Sequence, residues 1–420
     1  MGRRTIFKRF GARLGRALYL LGRPARGDGG RGGTVIQAYR GFASRQEIFL
    51  MGRIFRQPRV SPKVRQGRLG RHLVDLGRRI VRHGAPGIPV KADYGGSQQQ
   101  LTTDRFGYFC VDLRLKKPLA SSHLWHRLSL EAAGEGAPCR STGAFFLPPP
   151  QARYVVISDI DDTVIFTGVA NKLKMLWRLF FQGARQRVAF PGVAAFYQAL
   201  HGGVSGKEFN PMLYVSRSPW GLYELLEEFF HLHAIPAGPI LFLREWGITR
   251  RRPFPIRAKE HKLTLIRRML SVYDTLPFIL IGDSGQRDPE IYAQIVREHP
   301  GRVLAIYVRH VSGASRRRAI EPLAREVVAA GSTLLLAVDT QAMAQHAAEH
   351  GFISPEALEA APQQAPNLHP TRKLSRPTRS RIREALKWRG LAGARVAGKR
   401  KALNVVIEGE ARGDIRAPRG

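Results

Sequence analysis

The stretch Tyr154-Val155-Val156-Ile157-Ser158-Asp159-Ile160-Asp161-Asp162-Thr163 decides the fold. Four apolar residues, most of them β-branched, run directly into a cluster of acids. A short continuous apolar run of this kind suits a strand buried on both faces, as in a parallel sheet. Two later runs have the same form. Met212–Val215 ends at Ser216, and Phe278–Ile281 ends in Gly282-Asp283-Ser284-Gly285-Gln286-Arg287-Asp288. Helical spacing over Tyr223–Phe230 and Lys262–Leu270 lies between them. The alternation predicts an α/β domain with a doubly wound parallel sheet, which binds ligands outside the carboxyl ends of its strands. Leu334–Val338, Gln341–His350 and Ser354–Ala361 extend it by a strand and terminal helices, and the folded part is expected to end near Pro366.

Upstream, Pro148-Pro149-Pro150 marks a boundary. Before it the signals are short β-type runs, Val35–Tyr39, Ile48–Met51, Tyr108–Leu113 and Leu128–Glu131, separated by turn clusters such as Tyr94-Gly95-Gly96-Ser97. They predict a small β-rich, sandwich-like domain, with a helix inserted over Val74–His83. The expected organisation is a basic segment and linker over 1–33, the β-rich domain over 34–150, the catalytic domain over 151–366 and a basic, disordered tail over 367–420.

The chain has 420 residues, of which 44% are hydrophobic and 9% aromatic, enough for a core and too many for a wholly disordered polypeptide. No apolar run reaches the ~18–20 residues of a spanning helix. Two cysteines, Cys110 and Cys139, make neither a disulfide scaffold nor a Cys-rich zinc site, and they fit a reducing, cytoplasmic setting. Sixty-eight Lys and Arg against 32 Asp and Glu leave a net charge of +36, which attracts polyanions without choosing among nucleic acid, anionic lipid and phosphorylated substrates. From Thr371 to Gly420 fifteen residues are basic and four acidic, with no strong apolar periodicity, which fits a solvated tail as well as a specific contact. At the other end Ile6, Phe7, Phe10, Leu14, Leu18 and Leu21 fall at helical spacing among six cations. That pattern suits a helix lying on an anionic membrane, a helix packed on its own protein, or an Arg-rich transit peptide. A peripheral position at the inner membrane surface is the expectation.

The polar residues after the three strands carry the chemistry. Asp159 and Asp161, at i and i+2 on an extended segment, project to the same side. Asp159 would be a nucleophile and metal ligand, and Asp161 a second metal-site group and proton-transfer acid. Asp283 and Asp288 add oxygen ligands for a hard ion such as Mg2+. Lys262 supplies a cation to offset the repulsion between an attacking carboxylate and a phosphoryl group, with Lys259 a rival for the role. The Ser216 hydroxyl can hydrogen-bond a phosphoryl oxygen. Thr163 and Arg217 are candidate substrate-binding residues. A lone D-x-D-x-T string is weak, but here the order, the strands and the D-x-x-x-x-D segment agree.

These strings resemble the motifs of the haloacid dehalogenase-like superfamily, which match Asp159/Asp161, Ser216, Lys262 and Asp283/Asp288 in order. The longer strings Ser158–Val164, Tyr214–Trp220 and Ile281–Tyr292 are similar to the phosphatidate phosphatase family named after the yeast actin-patch protein. The resemblance covers Tyr154 to Ala361. It implies a Rossmann-like fold of haloacid dehalogenase type and Mg2+-dependent conversion of phosphatidate to diacylglycerol and phosphate through an aspartyl-phosphate. Substrate identity is the least transferable part. Lys172–Phe181 adds a modest tilt towards lipid. If it forms a cap helix, Trp177 and Phe180 would receive acyl chains; packing on the catalytic domain is the plainer alternative. Two other readings compete. One is a phosphatase of soluble phosphomonoesters or nucleic-acid ends, although no nucleic-acid-reading motif is present. The other is a basic membrane- or nucleic-acid-binding protein with a vestigial domain, which the intact acids disfavour.

Overall fold

The structure is a computed structural model that describes residues 33–57, 84–120, 123–133, 138–160, 192–216, 223–242, 258–359 and 405–407. The N-terminal amphipathic segment, Val74–His83, Lys172–Phe181 and most of the basic tail lie outside the described residues.

The first half builds β1 (Gly33–Ala38), β2 (Gly41–Ala43), β3 (Glu47–Gln57), β4 (Pro89–Tyr94), β5 (Ser97–Thr102), β6 (Tyr108–Arg114), β7 (Trp125–Ala132) and β8 (Cys139–Phe146). The expected sandwich is instead one curled sheet, in the order β1-β3-β2-β8-β7-β4-β5 with β6 on β3. The length of β3 explains this: β1 and β2 share one edge of it and β6 takes the other. Side chains then draw the far end of the sheet back to β6. The Asp112 amide donates to Gln99 Oε1 at 2.9 Å, and the Lys116 amide donates to Ser97 Oγ at 2.9 Å.

Period-2 alternation gives this sheet two buried faces. Ile48, Leu50 and Ile54 of β3, with Phe109, Val111 and Leu113 of β6, fill the core of the β domain. Their alternates Phe49, Met51 and Tyr108 join the core of the catalytic domain instead.

The second half builds β9 (Val155–Asp159), α1 (Val193–Gly202), β10 (Met212–Ser216), α2 (Tyr223–Leu232), β11 (Ile240–Phe242), α3 (Ala258–Val272), β12 (Phe278–Asp283) and α4 (Asp288–Glu298). After these come β13 (Val303–Arg309), α5 (Ala314–Ala329), β14 (Thr333–Ala337), α6 (Thr340–Glu349), α7 (Glu356–Glu359) and β15 (Val405–Ile407). The sheet order is β11-β10-β9-β12-β13-β14-β15, parallel throughout except for β15. Helices α3, α4 and α5 pack together, and α1, α6 and α7 form a second group, so the sheet is wound on both faces as expected. Strands β9, β10 and β12 are buried along their whole length, the physical reason their sequences are continuously apolar. Within the tail, expected to be mostly disordered, the β-branched run Val405-Val406-Ile407 pairs antiparallel with Leu334–Leu336 of β14.

The two domains meet across a wide apolar seam. Tyr39 lies 4.6 Å from Tyr223 and Phe42 5.7 Å from Tyr273, ring centre to ring centre. The Arg40 amide donates to the Tyr223 hydroxyl at 2.8 Å. Tyr39, Phe42, Phe49 and Met51 are all buried, and each such side chain contributes about 1.5–3 kcal/mol. The β domain is therefore an integral wall of the molecule and not a loose appendage.

Candidate active site

Strand pairing brings the chemistry to one edge. Strand β9 lies between β10 and β12, with Val215 opposite Asp159 and Ile281 opposite Ser158. Asp159, Ser216 and Asp283 therefore end neighbouring strands, and Asp288 opens helix α4 just beyond. Lys262 reaches in from α3. Its Nζ donates to Asp159 Oδ2 at 2.8 Å and to Asp288 Oδ1 at 2.5 Å. Asp159, Asp283 and Asp288 each offer an oxygen within 4.8 Å of the others. None of these groups is more than 1% exposed.

The loop after β12 is shaped around its first residue. Asp283 Oδ1 accepts from the amides of Gly285 at 2.6 Å and Gln286 at 3.0 Å, an Asx turn. Asp288 folds back against the strand, its Oδ2 accepting from the Asp283 amide at 3.3 Å. Gly282 makes that approach possible, since a Cβ there would lie 2.4 Å from Asp288 Oδ2. Beneath the lysine, the Tyr292 ring centre is 5.3 Å from Nζ, and its hydroxyl donates to the Ile281 carbonyl at 2.9 Å. On β9, Ser158 Oγ and the Tyr197 hydroxyl share a hydrogen bond at 2.6 Å, and burial pushes the Tyr197 pKa up.

Electrostatics explain the appetite of the site. Burial, opposed by Lys262 and reinforced by Asp159 and Asp283, pushes the Asp288 carboxyl up to about 7. Burial alone would pull Lys262 down, but Asp159 and Asp288 more than reverse it, so the ammonium stays charged. Among the described residues, three carboxyl groups, Asp159, Asp283 and Asp288, gather around the Lys262 ammonium in this buried site. Oxygen-only donors of this kind fit a hard divalent cation such as Mg2+.

Asp159, Asp283, Asp288 and Lys262 are thus brought together, with Ser216 at the end of the adjoining strand. Of the two candidate lysines, Lys262 is the one whose ammonium meets Asp159 and Asp288. Asp161, Thr163, Trp177, Phe180 and Arg217 lie outside the described residues. Gly282 and Tyr292 had no assigned role in the sequence; a glycine ending a strand that is otherwise apolar was the available signal for the first.

Comparisons with known proteins fall on the same segment. Residues 154–310 match the family model described as phosphatidate phosphatase APP1, catalytic domain. The phosphatidate phosphatase APP1 of Saccharomyces cerevisiae is 33% identical over 159 residues, which are 38% of this chain and 26% of that protein. An uncharacterized protein of Schizosaccharomyces pombe is 30% identical over 160 residues, 37% of this chain and 25% of that one. The chain spans about a quarter of the length of these relatives. Among solved structures, a carbohydrate acetylesterase from Xanthomonas citri aligns over 68% of this chain and 71% of its own, at 12% identity and a TM-score of 0.22, a likeness too slight to bear on the fold. The matched segment contains every candidate catalytic and metal-ligating residue, and over it the chain is similar to the APP1-type phosphatidate phosphatase catalytic domain.

Proposed function

We propose that the chain is a Mg2+-dependent, aspartate-nucleophile phosphatase of haloacid dehalogenase type that converts phosphatidate to diacylglycerol and phosphate. The observation that carries this reading is the convergence of Asp159, Asp283 and Asp288 around Lys262 at the carboxyl edge of the parallel sheet. Asp159, Asp283 and Asp288 would hold Mg2+, which when bound would supply positive charge against the phosphoryl oxygens.

The chain's own residues do the rest. An Asp159 oxygen attacks phosphorus, the ester P–O bond breaks, and Asp161 gives its proton to the leaving alcohol. Asp161 then takes a proton from water as that water attacks phosphorus, and the Asp159–phosphorus bond breaks to release phosphate. Lys262 orients Asp159 by the 2.8 Å bond, and Ser216 donates to a phosphoryl oxygen. Among the described residues no helix is long and apolar enough to cross a membrane. The reading places the chain in the cytoplasm, on an anionic membrane surface, through the basic N-terminal segment.

A phosphate-release panel tests this. With Mg2+, phosphatidate in mixed micelles should turn over faster than lysophosphatidate, soluble phosphomonoesters or phosphorylated oligonucleotides. Equal or faster turnover of a soluble ester overturns the lipid assignment. Deleting residues 1–22 should weaken activity on anionic vesicles more than on a soluble ester, and equal losses remove the anchor.

A further inference from the structure

We propose that Arg316 is a positioning residue for the metal site: it fixes the Asp283 carboxylate by holding the backbone of the loop that grips it. This rests on the metal-binding reading of the site given above. Arg316 lies in the first turns of α5 and touches none of the reacting groups. Its Nε donates to the Ser284 carbonyl at 2.9 Å and its Nη2 to the Gln286 carbonyl at 2.6 Å. Nη1 and Nη2 also donate to Glu290 Oε1 at 2.5 Å and Oε2 at 2.7 Å, in the first turn of α4.

Peptide planarity turns these bonds into a lever. The Ser284 carbonyl and the Gly285 N–H are opposite ends of one rigid amide. Arg316 holds the oxygen end, and Asp283 Oδ1 accepts from the N–H end at 2.6 Å. A guanidinium, one planar amide and a carboxylate are thus linked in series, and each bond polarises the next. The grip on Gln286 O fixes the far side of the turn, whose own N–H is the second donor to Asp283 Oδ1. Only the arginine fork presents donors to two carbonyls and a carboxylate at once; a lysine ammonium is a compact point charge. Residues that orient metal ligands in this way are typically worth about 10–100-fold in metal affinity.

The experiment uses the full chain and three variants, R316A, R316K and E290Q. Mg2+ is titrated by calorimetry and by the rise in thermal midpoint, and amide hydrogen exchange is read at Gly285 and Gln286. R316A and R316K should both raise the half-saturating Mg2+ concentration about 10–100-fold and speed exchange at those two amides. E290Q, which loosens the tie to α4 but spares both carbonyl bonds, should shift it far less. Wild-type Mg2+ affinity and unchanged exchange in R316A overturn the proposal, as does an R316K variant that matches wild type, since charge alone would then suffice. E290Q as damaging as R316A also overturns it, because the residue would then be a helix brace. A wild-type chain that ignores Mg2+ overturns the metal reading of the site, whereas faster exchange at the two amides in R316A upholds the grip of Arg316 on the loop.

Discussion

Two of the cations on helix α3, Lys262 and Arg268, are each held by two carboxylates from other parts of the chain. Lys262 meets Asp159 and Asp288 with all partners buried. Arg268, further along the same helix, meets Glu47 at 3.0 Å and Asp112 at 2.5 Å, both from the β domain, and lies over the Phe49 ring at 5.7 Å. The Asp112 side chain is 49% exposed. The arithmetic of charge is the same and the surroundings are opposite. The Arg268 cluster is only partly exposed, 24% at Arg268 and 18% at Glu47, so solvent screens it in part beside an apolar seam. The Lys262 cluster is buried and lies close to a third carboxylate, Asp283. The same pairing of groups is a domain fastening in one place and, on the proposed reading, a cation-binding centre in the other.

The contrast breaks hardest at the nucleophile. Asp159→Asn should lower Mg2+-dependent phosphate release by on the order of 10^4-fold while the fold survives. Circular dichroism and a release assay check this, and turnover near wild type would remove Asp159 from its role. Next, Lys262→Met leaves the buried carboxylates facing one another. In EDTA it should cost about 3–5 kcal/mol in urea unfolding, and added Mg2+ should restore part of that.

The pH response sharpens the comparison further. In the native site Asp288 keeps its proton up to about pH 7, against an ordinary value of 3.8. Across that window the folded chain binds a proton that the unfolded chain has released, so stability in EDTA should fall as pH rises through it. Mg2+ should flatten the slope; a slope of the opposite sign contradicts the burial argument. The smallest effect belongs to Arg268→Met, within about 1 kcal/mol and indifferent to Mg2+. A loss as large as that of Lys262→Met would erase the distinction.

The sequence made the middle of the catalytic sheet readable because β9, β10 and β12 are buried on both faces and so admit only apolar residues. Each ends in a residue with chemistry, which is why their adjacency could be guessed from order alone. Strand β13 is just as apolar over Leu304–Val308, but it ends at Arg309 and carries no acid to draw the eye. In the β domain, β5 reads Ser97-Gln98-Gln99-Gln100-Leu101-Thr102, poor in strand-forming residues, and it is extended because β4 pairs with it. The Asp159, Asp283, Asp288 and Lys262 cluster was legible because acids and a lysine stand at strand ends and on the helix between them, in the order that the motifs require. Gly282, Tyr292 and Arg316 serve the same site through backbone and packing, and an arginine in so basic a chain carries no signal of its own.

Strand β15 has a consequence beyond the site. By pairing with Leu334–Leu336, Val405–Ile407 occupies the outer N–H and C=O groups of β14, the last parallel strand. Stripped of that short cover, β14 would offer an apolar, unpaired border to any strand that met it, including the same strand in a second molecule. A chain cut short before Val405 should therefore be prone to self-association through its own sheet.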